Sequence, residues 1–149
     1  MKVNVSIKVP FYPTENKDKV IECVQNLIGE TPDFQEESME DYKLLVTNDI
    51  NVRLIENFFN FIRNAEILDS VRRCSSIDYS ESSLIFSFHK QALYIGKIAV
   101  ITSDTSSPLG NVELWIKGRD PEKILDWIAP QTEEGREITH RRFNDIFNL

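Results

Sequence analysis

A chain of 149 residues is long enough to bury a core without disulfide or metal support. Its 41% apolar and 28% charged residues are ordinary for a water-soluble fold, and no apolar run approaches the ~18 residues of a membrane span. With 17 basic against 24 acidic side chains the net charge is −7, which excludes a uniformly basic surface for gripping nucleic acid.

Val3, Val5, Ile7 and Val9 alternate with Asn4, Ser6 and Lys8, the period of a half-buried strand, with Pro10 and Pro13 expected to stop it. Thr14 is the expected cap of a helix whose stripe is Val20, Ile21, Val24, Leu27 and Ile28, and Gly29 ends it. Six acids then fall between Glu30 and Asp41 with no base among them; without them the net charge of −7 becomes −1, so a local basic patch stays open to the rest of the chain. The plain reading of this run is a solvated loop with one short strand near Phe34, since it lacks the spacing of a calcium loop. Tyr42 to Thr47 reads as a strand.

Asp49 or Asn51 opens the next helix, where Ile55, Phe58, Phe59 and Ile62 sit at helical spacing. Ile67, Leu68 and Val71 continue as a second short helix or a bent extension past Asn64. Ser75 to Ser83 is polar and Ser-rich and reads as a loop. Leu84, Phe86 and Phe88 then share one strand face, with Ser83, Ile85 and Ser87 on the other. Lys97–Thr102 and Asn111–Lys117 are expected strands, separated by a loop rich in Ser, Thr, Pro and Gly. Asp120 caps a helix with Pro121 at its first position, and Ile124, Leu125 and Ile128 pack it. Residues 130–149 form a tail or short helix around Phe143, Ile146 and Phe147. Strands in hairpin-like succession favour an α+β fold: one domain over 1–149, a two-layer sandwich with a mostly antiparallel sheet and helices on one face.

Neither a Gly-rich phosphate loop nor G-x-S-x-G nor H-E-x-x-H occurs, and Cys23 and Cys74 stand apart from His89 and His140, so no cofactor and no metal is expected. The two cysteines read as free thiols of a reducing cytoplasm. His89-Lys90-Gln91 is the densest polar cluster beside an apolar strand end. It can supply an acid or base, with Asp104 or Asp126 orienting the imidazole, or hydrogen bonds to a phosphate or base edge. The plainer role is local, with His89 tied to backbone and Lys90 in water. Ser106 to Gly110 reads as a turn whose amides and hydroxyls can also face an anion. On the last strand Val112, Leu114 and Ile116 fill the core face, which leaves Trp115 beside Lys117 on the other, a pairing that stacks a base and neutralises its phosphate. Arg72-Arg73 and Arg141-Arg142 are small basic pairs.

Four stretches occur in one order: Arg63 to Arg72, then His89 to Ala92, then Ser107 to Gly110, then Asp126 to Pro130 with Thr132 and Gly135. In them the chain resembles a family of small archaeal proteins of unassigned function described as predicted RNA-binding, best over residues 50 to 136. The resemblance implies a fold similar to the large-subunit ribosomal protein that contacts five-S rRNA, a cytoplasmic setting and no established enzyme activity. The resulting expectation is a non-catalytic RNA-binding protein, linked to the ribosome or RNA metabolism, whose contacts are His89, Lys90, Gln91, Lys97, Ser107, Trp115, Lys117 and Arg72. Two other classes remain open at this point: an enzyme on a phosphorylated small molecule with His89 as acid/base, and a protein–protein adaptor using the acid run.

Overall fold

The computed structural model describes residues 1–105 and 107–149; Ser106, the first residue of the expected turn, lies outside them. Strand β1 (Asn4–Phe11) leads to helix α1 (Lys17–Ile28) and to the hairpin of β2 (Phe34–Ser38) and β3 (Lys43–Thr47). A 3-10 turn at Val52–Ile55 enters α2 (Glu56–Asn64), followed by α3 (Leu68–Cys74), β4 (Ser76–Asp78) and β5 (Ser83–Phe88). Then come α4 (Lys90–Tyr94), β6 (Val100–Ile101), β7 (Val112–Lys117) and α5 (Pro121–Ile128). A small hairpin of β8 (Thr132–Glu133) and β9 (Arg136–Glu137) and a 3-10 turn at Phe143–Asn148 complete the chain.

The main sheet runs β2-β3-β1-β7-β5-β4, with β6 also on β5, and every pair is antiparallel. The fold is α+β, an open sheet with helices. Register explains the core. Val5 and Leu84 flank Ile116, Ile7 and Phe86 flank Leu114, and Phe88 faces Val112. All eight are fully buried. The helices close on this one row: Phe58 of α2 meets Phe86 and Phe88 edge to face at 5.4 and 5.2 Å. The apolar rows read from β1, β5 and β7 are thus the rows that pack.

Several boundaries differ from the sequence reading, each for a physical reason. β1 passes through Pro10 to Phe11, because its pairing with β7 ends at Lys8 and Pro10 there has only β3 beside it. The cap of α1 is Asn16, whose carboxamide oxygen accepts the Asp18 N–H at 2.9 Å, and not Thr14. Part of the Ser-rich stretch is strand: β4 pairs with β5 from Ser76 to Asp78. β4 and β6 share one edge of β5, so β6 shrinks to two residues and Lys97 falls outside it. The short strand expected near Phe34 is β2, which the rest of the acid run joins to β3 by a turn; Glu36 bonds Lys17 of α1, which holds its carboxyl below the ordinary range. Gly29, at φ 84°, ends α1 in the left-handed region that favours glycine. Trp127, absent from the expected core, is 1% exposed and donates its indole N–H to Arg142 O and Phe143 O.

Candidate nucleic-acid interface

The residues of the four family-like stretches meet one another, and mostly inside the molecule. Lys90 is the sharpest case. It opens α4, but its side chain turns inward and is 5% exposed. Its ammonium donates to Pro10 O at 2.6 Å, Glu15 Oε1 at 2.9 Å and Leu109 O at 2.9 Å. An ammonium has three N–H bonds, and all three are taken. Burial pushes its pKa down and Glu15 pulls it back up. Cys23 shares this corner, donating to Lys90 O, and burial pushes its thiol pKa up to about 11. Lys90 therefore leaves the set of phosphate contacts: it ties the His89 stretch to the Ser107–Gly110 stretch. Ser107 stands three residues before Gly110, whose N–H it receives on its carbonyl at 3.1 Å.

His89 has a local role. Its Nδ1 accepts the Ala92 N–H at 3.1 Å and caps α4, while its own N–H donates to Ala99 O. Asp126, considered as its orienting carboxylate, is bonded to Arg72 instead. Gln91 is exposed on α4 and Lys97 is exposed after it. Arg72 lies on the helix layer, away from the sheet's uncovered face, with Nη1 donating to Asp126 Oδ1 at 2.9 Å and Ala129 O at 3.0 Å. Arg63, in the same stretch, donates to Phe59 O, Ile128 O, Trp127 O and Glu137 and stacks on Phe59 at 3.5 Å. It ties α2 to the end of α5.

The other face of the sheet is different. Among the described residues none of its side chains joins the main hydrophobic cluster, although Ser83, Ile85 and Ser87 of β5 are buried on it. Parity and register line up Ser6, Trp115, Ile85 and Ser76 in one row and Asn4, Lys117, Ser83 and Asp78 in the next. Trp115 is half-buried, its indole N–H donating to Glu113 Oε1 at 3.3 Å. Lys8, on the neighbouring strand and one row along, holds its ammonium 3.8 Å from the ring centroid. That is a cation–π pair at a partly solvated site. The expectation of an aromatic beside a base on this face therefore has a concrete form, with Lys8 as the nearer cation.

Lys117 lies at the end of this face and lines two adjoining depressions. One contains Trp115 and Lys8, and carries the carboxylates of Asp49 and Glu81 as well. The other, of about 310 Å³, is lined by Lys2, Asn4, Ser82, Lys117, Gly118 and Arg119. Among the described residues no carboxylate lines it, and neither Lys2 nor Arg119 forms an ion pair. Three cations thus converge beside an aromatic platform in an otherwise acidic chain. Sequence reasoning missed Lys2, Lys8 and Arg119. The strand alternation carried the signal for Lys8, but only the β1–β7 register brings it onto Trp115.

A family model described as RNA binding matches residues 4–117, which includes every strand of the main sheet. A UPF0201 protein of Metallosphaera sedula is 34% identical over 136 residues, covering 90% of this chain and 92% of the relative. The chain belongs to this archaeal family. A UPF0201 protein of Pyrococcus horikoshii is 32% identical over 133 residues, covering 88% and 92%. Among solved structures, the UPF0201 protein from Methanococcus jannaschii superimposes with a TM-score of 0.69 at 24% identity, over 91% of this chain and 99% of that one. The open, mostly antiparallel sheet is thus the UPF0201 fold. Among the described residues no helix is long and apolar enough to cross a membrane.

Proposed function

We propose that the protein binds single-stranded RNA, without catalysis, on the uncovered face of its sheet. The observation that carries this reading is the Trp115–Lys8 platform opening into the cleft of Lys2, Lys117 and Arg119. A base stacks on an aromatic ring by its π-face, and the adjoining phosphate needs a cation within a few ångströms. The description of the family model, RNA binding, supports the same partner. Lys117 and Trp115 are retained from the sequence reading, with Lys8, Lys2 and Arg119 added; Gln91, Lys97 and Ser107 lie outside this face, and Arg72 is on the helix layer. The cellular setting that goes with the proposal is cytoplasmic RNA metabolism, the ribosome included, with residues 1–149 acting as one α+β unit akin to the ribosomal protein that contacts five-S rRNA.

The binding is weak and local in this reading. Lys8 and Lys117 share the face with Asp49, Glu81 and Glu113, so only a few phosphates are neutralised. The test is anisotropy of a labelled single-stranded RNA across a salt series. Three cations predict a slope of about −2 in log affinity against log salt, at about −0.7 per phosphate. Retention independent of salt would overturn the proposal.

A further inference from the structure

A second concentration of positive charge lies where the sheet-face reading does not reach. Arg136, His140, Arg141 and Arg142 crowd residues 136–142, with Glu137 their only acid, and Arg72 and Arg73 end α3. Between α3, the end of α5 and this segment is a cleft of about 350 Å³, lined by both Arg72 and Arg141. This volume is within the range of small-molecule sites, about 300–1,000 Å³.

The polar wall is prepared for an anion. Arg72 is held by two bonds from Nη1, to Asp126 Oδ1 and Ala129 O, which leaves the Nε and Nη2 edge of its fork uncommitted among the described residues. Arg141 carries its Nε–H out of solvent with no hydrogen-bond partner among the described residues. A buried donor without a partner is rare and calls for an explanation. Thr139 and Gln131 line the same cleft and add a hydroxyl and an amide. Two guanidiniums against the one carboxylate of Asp126 leave the cleft net positive, the sign that attracts a phosphate. The other wall is apolar: Pro130 and Ile138 line it, and Ile138 is 60% exposed there. A cleft with cations on one side and an exposed aliphatic side chain on the other suits a phosphate that carries a flat organic group.

We propose that this cleft binds the phosphate of a nucleotide, free or at the end of an RNA strand, between the guanidiniums of Arg72 and Arg141. Arginine suits the task because its planar fork meets two phosphate oxygens at once. The sheet separates the cleft from Trp115, so the proposal stands or falls apart from the sheet-face reading.

The test follows the arginine Nε–H signals by NMR in the full chain. Adenosine 5′-monophosphate is titrated in, with adenosine and inorganic phosphate as controls, and then a 5′-phosphorylated trinucleotide with its 5′-hydroxyl counterpart. Saturable shifts of Arg72 and Arg141 are expected with the two organic phosphates and none with adenosine. The tighter of the two organic phosphates identifies the source, a free nucleotide or an RNA end. Arg72 also secures the end of α5, so the decisive variant is Arg141→Lys, which keeps the charge and loses the fork. It is expected to weaken binding about tenfold, with an unchanged melting temperature. Absence of saturable shifts, or binding indifferent to Arg141→Lys, would overturn the site. Inorganic phosphate binding as tightly as the nucleotide would overturn the assignment to nucleotides.

Discussion

The corner around Lys90 and the uncovered face around Trp115 make opposite uses of charge. The first is dense in family-like sequence: Lys90 joins the His89 and Ser107–Gly110 stretches through Pro10 O, Glu15 and Leu109 O. Lys90 is buried at the wall of a pocket of about 350 Å³ that Glu15, Tyr94 and Leu109 also line, and its ammonium is spent on the protein itself. The second carries no motif at all, only alternate residues of β1 and β7, yet its cations stand beside an aromatic ring and a cleft that no carboxylate lines among the described residues. Residue-specific spacing in this chain therefore marks where the backbone must be pinned, while accessible chemistry lies where strand parity leaves a face unpacked.

The largest effect that tests this contrast is on stability. Lys90→Ala takes the cation from the Glu15 carboxylate, which keeps only the Tyr12 N–H, and the donor from two carbonyls in a mostly buried corner. Breaking a buried pair from one side costs about 3–5 kcal/mol. The double variant Lys90→Met, Glu15→Leu should recover part of that loss, since apolar replacement removes the unpaired charge. Urea unfolding measures both, and RNA affinity of the folded fraction should not change. A cost below about 1 kcal/mol would mean that Lys90 is free for a ligand after all. Next comes the opposite side of the strand that carries Trp115. Ile116 is fully buried between Val5 and Leu84, so Ile116→Ala should cost roughly 2–5 kcal/mol. Trp115→Ala, one residue away, should cost only about 1 kcal/mol, near the worth of a partly solvated cation–π pair. Equal costs would show that both faces are packed and would remove the distinction.

Much of this was legible in the sequence, and the limits are physical. The period-2 rows of β1, β5 and β7 named the core row correctly, because burial against the helices leaves a pattern in a single strand, but on β5 the other row of Ser83, Ile85 and Ser87 is buried as well. β4 was not legible: three residues, two of them Ser76 and Asp78, carry too little apolar signal to stand out from a turn. The Trp115–Lys117 face was legible from parity. Lys8 was not placed on Trp115, because that contact depends on which strand neighbours β7 and in what register. Lys90 was misplaced for a different reason. A lysine after a strand normally reaches water, and only the return of Pro10 and Leu109 to the same corner gives its ammonium three oxygens.

On the RNA side the effects are smaller. Trp115→Ala should weaken binding by about 1–3 kcal/mol if a base stacks on the ring. Lys117→Ala should weaken binding less and flatten the salt dependence by about 0.7 in slope, the signature of one lost phosphate contact on a single strand. A loss of affinity with the slope intact would place Lys117 on a base edge and not on phosphate.

The smallest effect concerns the acid run. Deleting it is not a clean test, because Phe34–Ser38 is an edge strand and its loss would unpair β3. Charge neutralisation is. Glu36 points to the helix side, bonded to Lys17, but Glu37 pairs with Leu44, which pairs with Pro10, and so shares the face of Trp115. Three strand spacings separate β2 from β7, roughly 14 Å. That exceeds the Debye length of about 8 Å at physiological ionic strength, so Glu37→Gln should strengthen RNA binding by less than about twofold there and by more at low salt. Glu113→Gln acts from within reach of the ring, where Glu113 accepts the Trp115 indole N–H at 3.3 Å, and should strengthen binding more at any salt. Equal gains from the two variants would mean that RNA senses only the net charge of the molecule and has no seat on Trp115.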